Sequence, residues 1–354
     1  MRMKEHKSEL GSLAIPSEHT NDLDVSRYAS GHLLEMYRDM VRIRRLEEAV
    51  AELDIAGEAK CPCHLCIGQE AAAVGVARHL NEGDRAFGAH RSHSHFLAMG
   101  GTTDSILCEI LGKASGCSKG MGGSMHLFGQ EFGFYGSVPI VAGTIPLAVG
   151  AALAAKMDGN GAIAVAFFGD GASEEGVLHE SLNLASQYQL PILFVCENNL
   201  YSSHLDIAQR QPSDTIARFA RAHKVMAEVI DGNDVLKVSE TTDDMVSKLR
   251  GGEGPGFLEA ITYRWRGHVG PDENIDVGVR RKASDIVAWK KRDPIARLRQ
   301  GMLTQSAELL DQLNEIDKSI AKEIQDSIGI ARNADYPELA QNLSTVYSAG
   351  GSNE

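Results

Sequence analysis

The sequence predicts an α/β protein with a central parallel sheet flanked by helices. Two apolar segments, 162–168 and 191–196, have the length and the β-branched and aromatic content of buried strands. The residues between them, 174–188, place Leu178 and Leu182 on one face of an amphipathic helix. In a strand–helix–strand unit with a right-handed crossover, both strand tips lie at the same carboxyl edge of the sheet.

Further elements are expected on both sides of this unit. No linker rich in glycine and serine divides the chain, so residues 29–354 are expected to form one α/β domain with helical N- and C-terminal extensions. Residues 1–28 are polar and are expected to be mobile. Helices are predicted over 33–53, 70–80, 144–157 and the C-terminal region 283–354, strands near 225–230 and 257–264, and loops over 112–137 and 266–282.

Two of the predicted helices carry specific expectations about burial. In the first helix, an apolar stripe begins at Leu33, and Arg44 is expected on the exposed surface with its neighbouring arginines. In the C-terminal region, one apolar face is expected to be buried. Its members are Leu309, Leu310, Leu313, Ile316, Ile320, Ile324 and Ile328.

Composition excludes several classes of protein. The 354 residues carry a net charge of −13, which argues against binding to nucleic acid or to an anionic membrane surface. No apolar run approaches the roughly 20 residues that span a bilayer. The first 25 residues lack an apolar signal core and contain acidic residues that a transit peptide would avoid. A cytoplasmic location is therefore expected.

The cysteines and several histidines suggest a metal site, but their spacing argues against one. Cys61, Cys63, His64 and Cys66 lie close together, whereas structural zinc usually takes its ligands from two separated pairs. The other three cysteines form no second pair, so free thiols in a reducing compartment are expected. Hydrogen bonds within loops are expected for His93, His95 and His126.

A glycine-flanked carboxylate and a pair of carboxamides follow the two predicted strands. Asp170 lies within Gly169–Gly171 after the first strand, and Asn198–Asn199 follow the second. Because the two tips meet at one edge of the sheet, these oxygen ligands suit a hard cation such as Mg²⁺. The backbone amides of Gly171 and Ala172 open the following helix and can receive a phosphate. The unit therefore predicts a site for a metal-bridged diphosphate.

This unit has two alternative interpretations besides a metal-bridged diphosphate site. One is a purely structural turn between buried strands. The other is a dinucleotide site, in which Gly169, Gly171 and Gly176 would contact phosphates and Glu197 would bind a ribose. The glycine spacing does not match that fingerprint, and Asp170 would face a pyrophosphate with no cation between them, which is repulsive.

The unit resembles the thiamine diphosphate motif, in which Gly-Asp-Gly is followed by a helix, a strand and Asn-Asn. By this resemblance Asp170, Asn199 and the main-chain oxygen of Tyr201 would hold Mg²⁺, which would in turn hold the diphosphate of the cofactor.

The resemblance extends over residues 30–345 to the alpha subunit of the decarboxylating component of 2-oxo acid dehydrogenase complexes, a group that includes pyruvate, branched-chain 2-oxo acid and acetoin dehydrogenases. It implies the thiamine diphosphate-binding fold. The segments that carry it, in family order, are Cys63–Glu70, Ala89–His93, Lys119–His126, the Gly-Asp-Gly to Asn-Asn unit and Tyr263–His268.

The same resemblance implies roles for five further residues. His64 and His268 match the two active-site histidines of the family, and imidazole can donate or accept a proton near neutral pH. Arg91 matches a basic residue that binds the diphosphate, a target that suits a guanidinium fork. His90 stands where many relatives have tyrosine, and Val141 lies where relatives contact the aminopyrimidine.

The chain departs from the family at two places. Regulated mitochondrial relatives have a phosphorylatable serine directly after the histidine matched by His268, whereas this chain has Val269, which excludes phosphorylation there. The segment 272–280 is unlike the usual loop at the substrate entrance. The sequence therefore does not identify which 2-oxo acid or ketol is the substrate.

The resemblance also implies partners. In the family, the glutamate that activates the aminopyrimidine belongs to a separate beta subunit, and only the diphosphate half of the site is recognisable here. An α₂β₂ assembly is expected, with acyl transfer to the lipoyl group of an acyltransferase. The alternatives are a split transketolase-like lyase or ligase subunit and a non-catalytic scaffold subunit.

Overall fold

The computed structural model describes residues 8–273, 275–276 and 279–339. The start of the predicted N-terminal segment (1–7), the end of the C-terminal region (340–354) and parts of the 266–282 loop lie outside the described residues. Within the described ranges no helix combines the length and apolar character needed to cross a membrane.

A six-stranded parallel sheet forms the centre of the fold, in the order β2-β1-β3-β4-β8-β7. Its strands are β1 (Arg85–Gly88), β2 (Phe134–Ser137), β3 (Ala164–Gly169), β4 (Ile192–Asn198), β7 (Met226–Asp231) and β8 (Gly256–Ile261). Two short antiparallel pairs lie outside this sheet: β5 (Tyr201–Ser202) with β6 (Leu205–Asp206), and β9 (Ile275–Asp276) with β10 (Val279–Arg280). The predicted fold class is confirmed.

The described helices cover both faces of the sheet. They are α1 (Ser30–Ile55), α2 (Glu70–Ala77), α3 (His93–Ala98), α4 (Thr103–Ile110), α5 (Ile145–Asp158), α6 (Gly176–Gln187), α7 (Ile207–Arg210), α8 (Ala217–Ala222), α9 (Val235–Arg250), α10 (Ala283–Lys290), α11 (Pro294–Gln305) and α12 (Leu310–Asn333).

Alternation along β3 divides the core into two layers. Successive side chains of a strand point to opposite faces. Val165 and Phe167 accordingly join one apolar cluster with residues of α1, α2, α4, α9 and α12. Ala166 and Phe168 join a second cluster with residues of α5, α6 and α8. Because both faces of the sheet are covered, its central strands are almost continuously apolar.

Two strands of the central sheet, β1 and β2, were not predicted from the sequence. The region 112–137 was expected to be a loop, but it ends in β2, which pairs with β1 at one edge of the sheet. Both strands have four residues, and neither contains the apolar run that marks β3 and β4. Their pairing depends on neighbouring strands and not on local sequence.

Several burial expectations were also wrong. Arg44 was expected on the surface, yet it is buried and bonds to the carboxylates of Glu70 and Asp293. Leu310 is exposed, whereas the other six residues of its predicted apolar face are buried. In the segment expected to be mobile, residues 10, 23 and 25 are buried against the body of the protein, and the Leu23 amide donates to the backbone oxygen of Arg297.

Candidate active site

The candidate active site lies at the carboxyl edge of the sheet, where ligands bind in open α/β folds. In the sheet, β2 lies on one side of β1 and β3 lies on the other side. The order of the strands along the chain therefore reverses between β1 and β3. His90 and Arg91 follow β1, and Asp170 follows β3. Gly169 ends β3, and Gly171 and Ala172 follow it. Val141 follows β2, Asn199 and Tyr201 follow β4, and His268 follows β8, whereas His64 lies in the segment between α1 and α2.

All eleven residues predicted for the site line a single cavity of about 210 Å³. They come from six separate segments of the chain. These residues are His64, His90, Arg91, Val141, Gly169, Asp170, Gly171, Ala172, Asn199, Tyr201 and His268.

Asp170 lines this cavity and has one carboxylate oxygen without a hydrogen-bond partner in the described part of the chain. The side chain is buried, and its Oδ2 is bound by the guanidinium of Arg210. Its Oδ1 has no hydrogen-bond partner among the described residues. Burial raises the pKa of Asp170, and Arg210 opposes this shift. A buried oxygen that lacks a donor, together with the carboxamide of Asn199 and the backbone of Tyr201 at the same cavity, forms a donor set that fits Mg²⁺.

The two adjacent asparagines have different tasks. Asn199 lines the cavity, and its Oδ1 accepts from the amide of Tyr201 at 3.3 Å. Asn198 is buried beneath it and donates to Glu259 Oε1 at 2.7 Å. The Oδ1 of Asn198 accepts from the amide of Leu200, which adopts a left-handed conformation with φ +68°. Asn198 therefore shapes the turn that brings Asn199 and Tyr201 to the cavity.

The turn after β3 packs closely against the segment that carries Ser202. Residues Asp170–Glu174 form a 3-10 turn, and α6 begins only at Gly176, later than the sequence predicted. A side chain at Gly171 would collide with the side chain of Ser202, so only glycine fits there. This turn brings the backbone of residues 171 and 172 to the cavity wall.

Arg91 is a buried cation with no carboxylate at salt-bridge distance in the described part of the chain. Its guanidinium donates instead to the backbone oxygens of Leu65 (2.6 Å) and His268 (3.0 Å). Burial lowers the pKa of Arg91 to about 9, with a further contribution from Arg264. A buried positive charge facing a cavity in this way suits an anionic ligand such as a diphosphate.

Three histidine rings meet on one side of the cavity. The ring centroid of His64 lies 4.8 Å from that of His90 and 4.9 Å from that of His268. The ring centroids of His90 and His268 are 5.2 Å apart. Burial, followed by the charge of Arg91, lowers the pKa of all three: to about 2 for His64, about 3 for His90 and about 2 for His268. All three imidazoles are therefore neutral at pH 7, and each can carry one proton donor and one acceptor.

The three histidines could also be considered as ligands for a soft metal, since their ring nitrogens lie within 4.8 Å of one another. Arg91 and Arg264 both lower the pKa of His64 and His268, which shows that the local potential is positive. A positive potential opposes a metal cation and favours an anion. The charges of Arg91 and Arg264 therefore argue against a metal ion at this histidine cluster.

The cysteine cluster near His64 is structural in the described chain. Cys63 Sγ donates to the backbone oxygen of Cys61 at 3.5 Å, and Cys66 Sγ donates to Glu47 Oε1 at 3.0 Å. All six cysteines are free thiols. His93 bonds to Glu47 of α1, His95 to Ser92, and His126 to the backbone oxygen of Gly122. The expectation of bonds within loops is met by His126 but is wrong for His93 and His95, which belong to helix α3.

Sequence reasoning missed several residues of the cavity. Arg264 lies within the predicted Tyr263–His268 segment, but no role was assigned to it. Glu197 immediately precedes the asparagine pair, and its carboxylate lies 3.3 Å from the ring of His95. Arg210 binds Asp170 from α7, and no local pattern marks it. The remaining cavity residues without a predicted role include Gln69, Met125, Pro139, Ser202 and Ser203.

Comparison with known proteins gives a consistent result. A family model described as the dehydrogenase E1 component matches residues 38–340. The alpha subunit of acetoin:2,6-dichlorophenolindophenol oxidoreductase from Bacillus subtilis (strain 168) is 35% identical over 314 residues, which cover 89% of this chain and 93% of that protein. Pyruvate dehydrogenase E1 component subunit alpha from Zymomonas mobilis is 35% identical over 344 residues, 96% of each chain. Its namesake from Rhizobium meliloti is 33% identical over 318 residues, 90% of each chain.

The fold and the family match define an α/β subunit of an oxidoreductase, with the candidate cavity at the carboxyl edge of its parallel sheet. The chain belongs to the dehydrogenase E1 component family and is similar throughout to its alpha subunits. The resemblance inferred from five sequence segments is thereby confirmed. Proteins of this family use thiamine diphosphate, and an alpha subunit implies a partner subunit. The match favours this interpretation over a split transketolase-like subunit or a non-catalytic scaffold.

Proposed function

We propose that the chain is the alpha subunit of a thiamine diphosphate- and Mg²⁺-dependent dehydrogenase component that acts on a 2-oxo acid or on acetoin. The reaction is oxidative decarboxylation or carbon–carbon cleavage, with acyl transfer to lipoamide. The observation that carries the proposal is the convergence of the eleven predicted residues, from six separate segments of the chain, on one cavity at the carboxyl edge of the sheet.

The chain's own residues supply the diphosphate half of the site. Asp170, Asn199 and the main-chain oxygen of Tyr201 would hold Mg²⁺, and the orphaned Oδ1 of Asp170 supports this assignment. The amides of Gly171 and Ala172 and the guanidinium of Arg91 would bind the diphosphate. His90 and Val141 line the same cavity and would contact the remainder of the cofactor.

His64 and His268 would move protons at the reacting end of the cavity. Thiamine diphosphate supplies the electron sink for the chemistry. Two neutral imidazoles can pass a proton to or from a substrate oxygen without first losing one to solvent. The positive potential from Arg91 and Arg264 attracts a carboxylate, which favours an anionic 2-oxo acid at this end of the cavity.

A beta subunit carrying the activating glutamate completes the proposed enzyme, in an α₂β₂ assembly that transfers its product to a lipoyl acyltransferase. Exposed apolar side chains near the site support a covering partner: Phe128, Ile140 and Val141 are all exposed. Six free thiols are consistent with a reducing compartment, and we propose the cytoplasm.

A reconstituted assembly would test this proposal. The full chain is co-expressed with its beta partner and assayed with pyruvate, branched-chain 2-oxo acids and acetoin, using 2,6-dichlorophenolindophenol as the electron acceptor. Turnover that requires both thiamine diphosphate and Mg²⁺ is expected. Asp170→Ala should abolish Mg²⁺-dependent cofactor binding, whereas Asp158→Ala, a change at an exposed aspartate, should not. Full turnover by the chain alone, or by the Asp170→Ala assembly, would contradict the proposal.

A further inference from the structure

Arg210 lies behind the proposed cation site and has no assigned role. It is the last residue of the short helix α7, and its side chain is only 6% exposed. The guanidinium binds two carboxylates at once, through Nη2 to Asp170 and through Nη1 to Glu174. Its Nε donates to the backbone oxygen of Leu205 at 3.1 Å, so three separate bonds fix the orientation of the side chain.

The two oxygens of Asp170 are thereby made unequal. Arg210 occupies Oδ2, while Oδ1 is buried and has no hydrogen-bond partner in the described part of the chain. A carboxylate held at one oxygen by a fixed guanidinium cannot rotate freely about its terminal bond. The orientation of the unpartnered Oδ1 is therefore fixed as well, on a residue that lines the cavity.

Arg210 also joins the two segments that carry the cation ligands. Asp170 and Glu174 begin and end the turn after β3, whereas Arg210 belongs to the segment after Tyr201. The adjacent Gln211 reinforces this link, because its Nε2 donates to Ser173 Oγ at 3.1 Å. Arg210 therefore fixes the separation between the ligands on either side of the site.

We propose that Arg210 is a positioning residue of the cation site. It holds Asp170 through Oδ2, leaves Oδ1 free, and fixes the 170–174 turn against the 201–211 segment. This inference rests on the proposed function, since it assumes that Asp170 binds a cation. Groups that orient metal ligands in this way typically change metal affinity by about 10-fold to 100-fold when they are removed.

The test measures cation binding directly in the assembled protein. The full chain with its beta partner is stripped of metal, saturated with thiamine diphosphate and titrated with Mn²⁺, a spectroscopic probe for oxygen-ligand sites, by electron paramagnetic resonance. Arg210→Gln is expected to weaken Mn²⁺ binding by about 10-fold or more. Arg210→Lys retains the charge but cannot bridge both carboxylates, so its affinity should fall between those of the native protein and the Gln variant.

A matched control separates this role from stability of the segment. Arg218 bonds to Gln211 and to the backbone oxygens of Ser213 and Thr215, but to no cation ligand. Because Arg218 is joined to the cation site through Gln211 and not directly, Arg218→Gln should lower the Mn²⁺ affinity far less than Arg210→Gln does. If the Arg210→Gln variant does not assemble, the Arg210→Lys variant provides the test. A Mn²⁺ affinity of the Arg210→Lys assembly that equals or exceeds the native affinity would contradict the inference.

The outcomes distinguish the two proposals. Native protein that binds no Mn²⁺ with thiamine diphosphate would overturn the proposed function itself. Native protein that binds Mn²⁺, with unchanged affinity in Arg210→Gln, would overturn only the positioning role. Tighter binding in Arg210→Gln would overturn it as well and would show that the guanidinium competes with the cation for Asp170.

Discussion

The guanidinium of Arg91 lies 3.0 Å from the backbone oxygen of His268 and donates a hydrogen bond to it. Its other terminal nitrogen donates to the backbone oxygen of Leu65, the residue after His64, at 2.6 Å. One buried side chain therefore holds both segments that carry the proposed catalytic histidines. Their spacing is set by a residue that also faces the proposed diphosphate site.

Replacing Arg91 with lysine should separate charge from geometry. Lysine retains the positive charge but cannot span two carbonyls with a planar fork. Hydrogen bonds from a charged donor contribute about 1.5–3 kcal/mol, so kcat should fall by roughly 10-fold to 100-fold. Steady-state kinetics of the assembly would show this. Arg85→Lys, at the opposite end of β1, should leave kcat unchanged, and a native kcat in Arg91→Lys would contradict the positioning role.

Acid should destabilise the protein through its active-site histidines. Burial lowers the folded-state pKa of His64, His90 and His268 from the ordinary value of 6.5 to between about 2 and about 3. Below pH 6.5 the unfolded chain therefore binds more protons than the folded chain, and the free energy of unfolding falls as the pH falls. The expected loss is roughly 1 kcal/mol per pH unit for each histidine over this window.

Denaturant titrations at several pH values between 7 and 5 would measure how steeply the free energy of unfolding falls with pH, which is the slope compared below. His90→Tyr removes one of the three titrating groups and keeps an aromatic ring, so its slope should be shallower than that of the native protein. Equal slopes in the two proteins would show that His90 does not contribute to the acid sensitivity.

The central sheet illustrates what local sequence can predict. β3, β4 and α6 were found because each buries a continuous run or a regular stripe, and such patterns survive in the sequence. β1 and β2 are short and lack such a run, so only their pairing in the sheet reveals them. The carboxyl edge of the sheet nevertheless followed from β3 and β4 alone.

Prediction of the site had a similar limit. Asp170 and Asn199 stand in a motif whose spacing carries the chemistry, and both line the cavity. Arg210 has no motif, because its role depends on a tertiary contact with Asp170 that no spacing encodes. Arg44 was placed on the surface because a charged residue is rarely buried without a partner, and its partner Glu70 lies on another helix.

Arg44 should be a major contributor to stability. It is buried, and its guanidinium meets the fully buried carboxylate of Glu70 at 2.5 Å and that of Asp293 at 3.1 Å. Burial by itself lowers the pKa of Arg44, but Glu70 and Asp293 reverse this shift and raise it. Arg44→Met would leave the Glu70 charge without its partner, at a cost of about 3–5 kcal/mol.

Chemical denaturation would measure this cost. Arg45→Gln is a matched control on the same helix, because Arg45 is half exposed and, among the described residues, its ion pair is with Glu48. Loss of the exposed Arg45–Glu48 pair should change the free energy of unfolding by less than about 1 kcal/mol. The double variant Arg44→Met/Glu70→Gln should recover part of the stability, since it removes the unpaired buried charge. Equal effects of Arg44→Met and Arg45→Gln would refute the expectation.

His93 should act on catalysis through His64 without contacting a ligand. Its ring is fully buried, with Nδ1 2.9 Å from Glu47 Oε1 and Nε2 2.9 Å from Ser124 Oγ. Ser124 Oγ in turn accepts from the backbone amide of His64 at 3.4 Å. Glu47 raises the pKa of His93 against the effect of burial, so the ring donates firmly to the carboxylate. A chain of three buried contacts therefore joins α1 to the segment that carries His64.

Ser124→Ala tests the last contact of this series, the one between Ser124 and the backbone of His64, by removing a single hydroxyl group. It removes the hydroxyl that links His93 to the His64 backbone and leaves the His93–Glu47 bond in place. We expect a lower kcat with little change in the affinity for thiamine diphosphate, because the hydroxyl contacts no predicted cofactor residue. His93→Phe should show the same fall in kcat and also lose about 1–3 kcal/mol of stability, since Glu47 loses a buried hydrogen-bond partner. Unchanged kcat in Ser124→Ala would mean that His64 is held in place without this link.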